Sequence, residues 1–264
     1  MFRPLDLTTS VLASSLRAWR GTSGSKSTHL PKQPVQLFDC EGDPSCRLVR
    51  EAITELNLDA MIYPCPEGGH RHLPRLQELS GGVDIPFLFD PNTQKKLSGA
   101  NAIVTYLFRQ YRLTDAPAAL RDTGINHLSS VLASRIRFNA GSRAVPSRNP
   151  AQYLTLYSFE SSPYSRIVRE KLSELELPYL LINLGKQQKA DAGPAYFRFT
   201  LKPYRPLPNT KRAQFFAEHG DVQVPYLKDP NTGREMFESA DIARYLETTY
   251  RRGNSGPVTR KAFD

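Results

Sequence analysis

Tryptophan occurs once in this 264-residue chain, and methionine and cysteine three times each. Cys40, Cys46 and Cys65 all fall in the first quarter, so they cannot staple a whole fold. So sparse and odd a set fits a reducing compartment better than a disulfide framework. Long apolar runs are missing as well: nothing approaches the roughly 18 residues that a membrane-spanning helix requires. The opening MFRPLDLTTSVLASSLRAWRG is interrupted by polar residues and has no signal-peptide centre. No block of one charge exists, because 35 basic and 26 acidic residues, net +9, are spread along the chain. A mildly basic surface suits anionic ligands, an anionic membrane or nucleic acid, and selects none of them by itself. No motif supports nucleic acid, and no such partner is expected. Cys-x-x-Cys is absent, and no Cys/His spacing makes a zinc site despite His70 and His72, so no metal is expected. The expectation is a cytoplasmic protein, attached to a membrane peripherally at most.

What is present is a repeat. LFDCEGDPSCRLVREAITELNL (37–58) lies on LYSFESSPYSRIVREKLSELEL (156–177) without a gap. IPFLFDPNTQKKLSGANAIVTYL (85–107) lies on VPYLKDPNTGREMFESADIARYL (224–246), so copy two carries an insertion in mid-unit. SVLAS recurs at 10–14 and 130–134, which extends the duplication to a lead-in helix ahead of each copy. Hydrophobic residues at 39% supply cores, and 21 prolines and 16 glycines supply many connections.

Each unit opens with a β-prone stretch (35–38; 153–157), followed by a helix whose stripe is Leu48, Ile53 and Leu56 in copy one and Val168, Leu172 and Leu175 in copy two. A second strand follows (60–63; 179–182). Two antiparallel strands then turn at Asp-Pro-Asn-Thr, and a last helix closes the unit. The order β-α-β, β-β-α predicts an α/β fold of two tandem thioredoxin-like domains, each preceded by an amphipathic helix. The expected division is 1–34 helix and linker, 35–112 copy one, 113–151 linker with helix, 152–250 copy two, and 251–264 tail.

These residues, with Tyr63-Pro64-Cys65-Pro66-Glu67-Gly68-Gly69 and the paired Asp-Pro-Asn-Thr turns, resemble the glutathione-transferase N-terminal superfamily, and more closely a two-copy family of bacteria and chloroplasts. The resemblance covers about 35–112 and 152–250 and implies glutathione as ligand. The redox tetrad at the first helix reads Asp43-Pro44-Ser45-Cys46 and Ser162-Pro163-Tyr164-Ser165. Both lack the nucleophilic cysteine that a helix N-terminus activates, which excludes a dithiol cycle within either copy. Cys46 keeps the resolving position and is a candidate for glutathionylation. Cys40 reads as a buried inert thiol. Ser162 reads either as an N-cap or as the hydroxyl that meets the glutathione sulfur; Asp43 reads as an N-cap.

Ile85-Pro86 and Val224-Pro225 match the family's cis-proline loop, whose preceding backbone holds the cysteinyl part of glutathione. Glu238-Ser239 match the pair that takes the γ-glutamyl end, where copy one has Gly99-Ala100. Lys211 and Arg212 suit the glycyl carboxylate. The expected site therefore lies in copy two: Ser162, Val224, Pro225, Glu238, Ser239, Lys211 and Arg212, with Cys46 as the remaining candidate for thiol chemistry. Weak transferase or thiol-exchange activity is the first reading. The family's helical C-terminal domain is not expected in the fourteen residues after Tyr250, so a non-catalytic binding or scaffold module stands beside it. The lead-in helices place Leu5, Leu12, Leu16 and Trp19, and Leu128, Val131, Leu132 and Ile136, on apolar faces beside Arg17, Arg20, Arg135 and Arg137. Those faces are expected to dock on the protein or to lie on an anionic membrane.

Overall fold

The computed structural model describes residues 4–25, 29–193 and 203–252. Copy one comprises β1 (Val35–Asp39), α2 (Pro44–Glu55), β2 (Ala60–Pro64), α3 (Leu73–Ser80), β3 (Phe87–Asp90), β4 (Lys95–Ser98) and α4 (Ala100–Arg112). Copy two repeats it as β5 (Leu154–Ser158), α6 (Pro163–Glu174), β6 (Tyr179–Asn183), α7 (Lys211–His219), β7 (Tyr226–Asp229), β8 (Arg234–Met236) and α8 (Ser239–Tyr250). The lead-in helices are α1 (Pro4–Leu16) and α5 (Gly124–Ile136).

Both units are thioredoxin-like, and each has a helix between its second and third strands, α3 or α7, beyond the order read from the sequence. Each is short and buries few residues: Leu76 in α3, and Arg212 and Phe215 in α7. So brief an amphipathic pattern leaves little trace in the sequence.

The two units form one sheet, in the order β4-β3-β1-β2-β6-β5-β7-β8. The joint is the antiparallel pairing of β2 with β6, in the register Ala60↔Leu181, Met61↔Leu180 and Ile62↔Tyr179. This pairing closes an edge that each unit alone would expose, and it places an approximate two-fold axis between the copies. On one face a single core runs through both halves, from Leu37, Leu48 and Ile53 to Leu156, Val168 and Leu172. The opposite face carries two separate clusters, Phe38, Tyr63, Leu76 and Phe87 in copy one, and Leu184, Phe215, Val222 and Tyr226 in copy two.

The Asp-Pro-Asn-Thr turns also fasten the last helices. Asp90 accepts from Asn92 through Oδ1 and from Tyr106 and Tyr111 through Oδ2. Asp229 does the same with Asn231, Tyr245 and Tyr250. Burial alone would raise each carboxyl, but these donors overcome it and hold both below the usual carboxylate range.

The lead-in helices dock on the protein through a face other than the one expected. Helix α1 lies against α5 and α6, and α5 against α2. Ser10, Ala13, Ser14 and Arg17 are buried, as are Ser130, Ala133, Ser134 and Arg137, whereas Leu12, Leu16 and Trp19 are 48%, 41% and 44% exposed. Leu128 and Leu132 are exposed too, Val131 and Ile136 are half-buried, and the Leu5 side chain lies outside the described residues. Small residues let the backbones approach closely, and their buried hydroxyls find acceptors among the carbonyls at the starts of α6 and α2. Ser10 Oγ donates to Pro163 O at 2.9 Å, and Ser130 Oγ to Pro44 O at 2.9 Å. Replacing Leu12 and Leu16 together with serine should therefore shift stability by no more than about 0.5 kcal/mol. Ala13→Leu, on the buried face, should cost about 1–3 kcal/mol by overpacking. Thermal denaturation of both variants checks this, and the opposite ranking would contradict the docking face.

Candidate functional site

The two tetrad loops, where thioredoxin-like proteins carry their chemistry, meet at the two-fold axis and are closed over by the lead-in helices. Asp43 and Ser162 both act as N-caps: Cys46 N donates to Asp43 Oδ1 at 2.7 Å and Ser165 N to Ser162 Oγ at 3.3 Å. Ser162 is 1% exposed and Cys46 is fully buried. Ser14 Oγ donates to Ser161 O at 2.8 Å, and Thr22 shares a hydrogen bond with the Ser161 hydroxyl. The turns that follow the lead-in helices press on the opposite copy. A Cβ on Gly21, at φ +71, would stand 2.8 Å from Glu160 Cβ, and one on Gly141, at φ +81, would stand 3.0 Å from Glu41 Cβ.

Beneath these loops lies a buried ionic interlock. Arg50 donates to its own loop at Cys40 O and Glu41 O and pairs with Asp39 at 2.5 Å. It also reaches across the axis to Glu160 at 3.1 Å. Arg169 mirrors it, donating to Phe159 O and Glu160 O and reaching Glu41 at 3.1 Å. Arg17 with Glu51 and Arg137 with Glu170 flank the group. Burial opposes ionisation of Glu160, yet Arg169 and Arg50 prevail and hold its carboxyl at about 2. Burial, with Glu41 and Glu160 adding to it, outweighs Arg50 at Asp39 and raises that carboxyl to about 6.

This interlock escaped the sequence reading. Its trace there is the recurrence of Arg-x-Val-Arg-Glu (47–51; 166–170), with Glu41 and Glu160 at matched positions.

The other candidates of copy two lie elsewhere. Val224-Pro225 is cis, as is Ile85-Pro86, and Val224 is half-buried. Ser239 is buried at the start of α8. Glu238 is exposed, occupies the N-cap position at φ 66 and ψ 109, caps nothing with its side chain, and accepts from Gln223 Nε2 at 2.7 Å. Its copy-one equivalent is Gly99, at φ 84. Lys211 is engaged by Asn57 O and Asp59, and burial, against the pull of Asp59, lowers its ammonium below the ordinary lysine range. Arg212 is buried against Leu184 O, Tyr204 and Asp191. Both cations are thus committed to the protein, so the positions read as carboxylate ligands hold the inserted stretch in place. Among the described residues no three His, Cys, Asp or Glu side chains form a group that could hold a metal.

Compared with known families, residues 37–115 and 156–255 each match the glutathione S-transferase N-terminal domain. The chain belongs to that family. A comparison with curated proteins gives no match. Among solved structures, a trimeric glutathione transferase from Leishmania is similar over 87% of this chain and 70% of its own, with 12% identity and a TM-score of 0.27.

In this member of the glutathione S-transferase N-terminal family, the one thiol in the first turn of a helix, Cys46 of α2, is fully buried and not activated. Burial first, then Asp43 and Asp39, push the Cys46 thiol well above its ordinary value. Burial and Asp39 raise Cys40 to about 11 and also raise Cys65. All three are free and buried. An aromatic disulfide reagent should therefore react with none of them in the folded protein within minutes and with all three after denaturation. Rapid labelling of Cys46 in the native state would contradict the closed tetrad.

Proposed function

We propose that this protein binds glutathione in copy two without activating its thiol. The γ-glutamyl carboxylate would take the free N–H groups of the first turn of α8 and the Ser239 hydroxyl, and the Glu238 carboxylate would take the ammonium group. Backbone at the cis Val224-Pro225 loop would hold the cysteinyl part. Ser162, the candidate for the sulfur, is an N-cap under α1, and Cys46 is buried, so neither reaches a ligand in solvent. The observation that carries the reading is the backbone of Glu238. A non-glycine residue at φ 66 costs of order 1–3 kcal/mol, and copy one relieves the same turn with Gly99. Copy two keeps the strained carboxylate beside an open helix N-terminus, which favours a ligand over capping.

Calorimetric titration with reduced glutathione should give one site per chain. Glu238→Gly, which installs the residue of copy one, should abolish binding while raising the melting temperature. Two equivalent sites, no binding at millimolar glutathione, or undiminished affinity in the variant would overturn the proposal. Transferase turnover should stay at background even when glutathione is bound.

A second reading has its own observation: α1, α5 and the turns that follow them leave Val11, Leu12, Leu16, Trp19, Leu128, Leu132 and Phe138 exposed. No described helix is long and apolar enough to cross a membrane. An apolar face near Arg20 and Arg135 instead fits peripheral attachment of a cytoplasmic scaffold to anionic lipid, each arginine adding about 1 kcal/mol. Salt-sensitive sedimentation with anionic vesicles, lost on serine replacement of Leu12 and Leu16, is the expected result. Absence of sedimentation by the unaltered protein would eliminate this reading.

A further inference from the structure

Four arginines of the interlock, Arg47, Arg50, Arg166 and Arg169, are at most 2% exposed and face three carboxylates, Asp39, Glu41 and Glu160. Glu51 and Glu170 are already taken by Arg17 and Arg137. The central group therefore carries one surplus positive charge inside the protein. It resides with Arg47 and Arg166, which occupy equivalent places one turn before Arg50 and Arg169. Arg47 donates from Nη2 to Ser134 Oγ at 3.0 Å and comes only within 4.0 Å of Glu160 Oε1 through Nη1. Arg166 donates from Nη1 to Ser10 O at 2.8 Å.

The remaining donors are orphaned. Nε and Nη1 of Arg47, Nε of Arg166 and the hydroxyl of Ser165 are buried without a hydrogen-bond partner in the protein. Buried polar groups are almost always paired, and buried charges more strictly still. The two guanidiniums also repel. Of the charges around Arg166, that of Arg47 acts on it most strongly, and together with burial it lowers Arg166 to about 9.

We propose that Arg47 and Arg166 hold one small monovalent anion of the halide class on the two-fold axis, with the Ser165 hydroxyl as a further donor. Water would accept fewer of these hydrogen bonds and would leave the surplus charge in place. A divalent oxyanion would exceed that charge and would crowd Glu160 Oε1, a buried acceptor without a hydrogen bond. The ion completes the junction between the copies, so the junction's stability depends on halide. The proposal is independent of glutathione binding, because none of its residues belongs to the Glu238 site.

Crystals grown with bromide as the halide should show an anomalous difference peak between Arg47 and Arg166. In solution, 100 mM chloride or bromide should raise the melting temperature by several degrees over gluconate at equal ionic strength, since gluconate is too large to enter. Arg166→Met, which removes the surplus charge, should abolish that difference. If this variant fails to fold, the bromide experiment on the unaltered protein decides alone. A peak at this position without anomalous signal, bromide found only on the surface, or a melting temperature indifferent to halide would overturn the proposal.

Discussion

Arg50 and Arg169 each wrap the carbonyls of their own tetrad loop and take a carboxylate from the opposite copy. Charges removed from water in this way stabilise a fold only when nearly every donor and acceptor is matched. The arrangement therefore fixes where both loops must lie. It requires β2 to pair with β6, brings α2 and α6 together at the axis, and calls for α1 and α5 as a cover that keeps water out. Serine and alanine line the inner faces of those covers because hydroxyls must reach the carbonyls of Ser161, Pro44 and Pro163. The leucines that would usually mark a buried face are turned outward as a result.

The same constraint accounts for the chemistry missing from the tetrads. A nucleophilic cysteine needs solvent access and an electropositive helix end, whereas here the helix starts are spent on Asp43 and Ser162 caps beneath a second helix. Once these positions support the inter-copy contact, thiol chemistry there has no route to a substrate. The copies nevertheless differ at the far end of each unit, beyond the interlock's reach. Copy one resolves the turn before its last helix with Gly99, and copy two retains Glu238 in a backbone conformation that glycine would adopt more easily.

Much of the fold was legible in the sequence because repetition doubles a weak signal. The stripe of Leu48, Ile53 and Leu56 recurs as Val168, Leu172 and Leu175, all fully buried, and the Asp-Pro-Asn-Thr pairs mark both outer hairpins. The hub that Asp90 and Asp229 form with paired tyrosines was not legible, since its partners lie some sixteen and twenty-one residues away. The apolar face of α1 misled for a related reason. Hydrophobic periodicity locates a stripe, but a helix serving a polar, close-packed junction buries its small residues instead. Lys211 and Arg212 are cations of the right type whose partners, Asp59 and Asp191, come close only after folding.

The central claim is that the two copies are one cooperative structure held at the axis by exchanged charges. Hydrogen–deuterium exchange of Glu160→Gln tests it most directly, because the substitution alters only copy two while weakening partners of Arg50 and Arg169 alike. The account predicts that amide protection falls together in α2 of copy one and α6 of copy two, with the outer hairpins little changed. Loss of protection confined to α6 and its own loop would contradict it, and would mean that the copies stand independently.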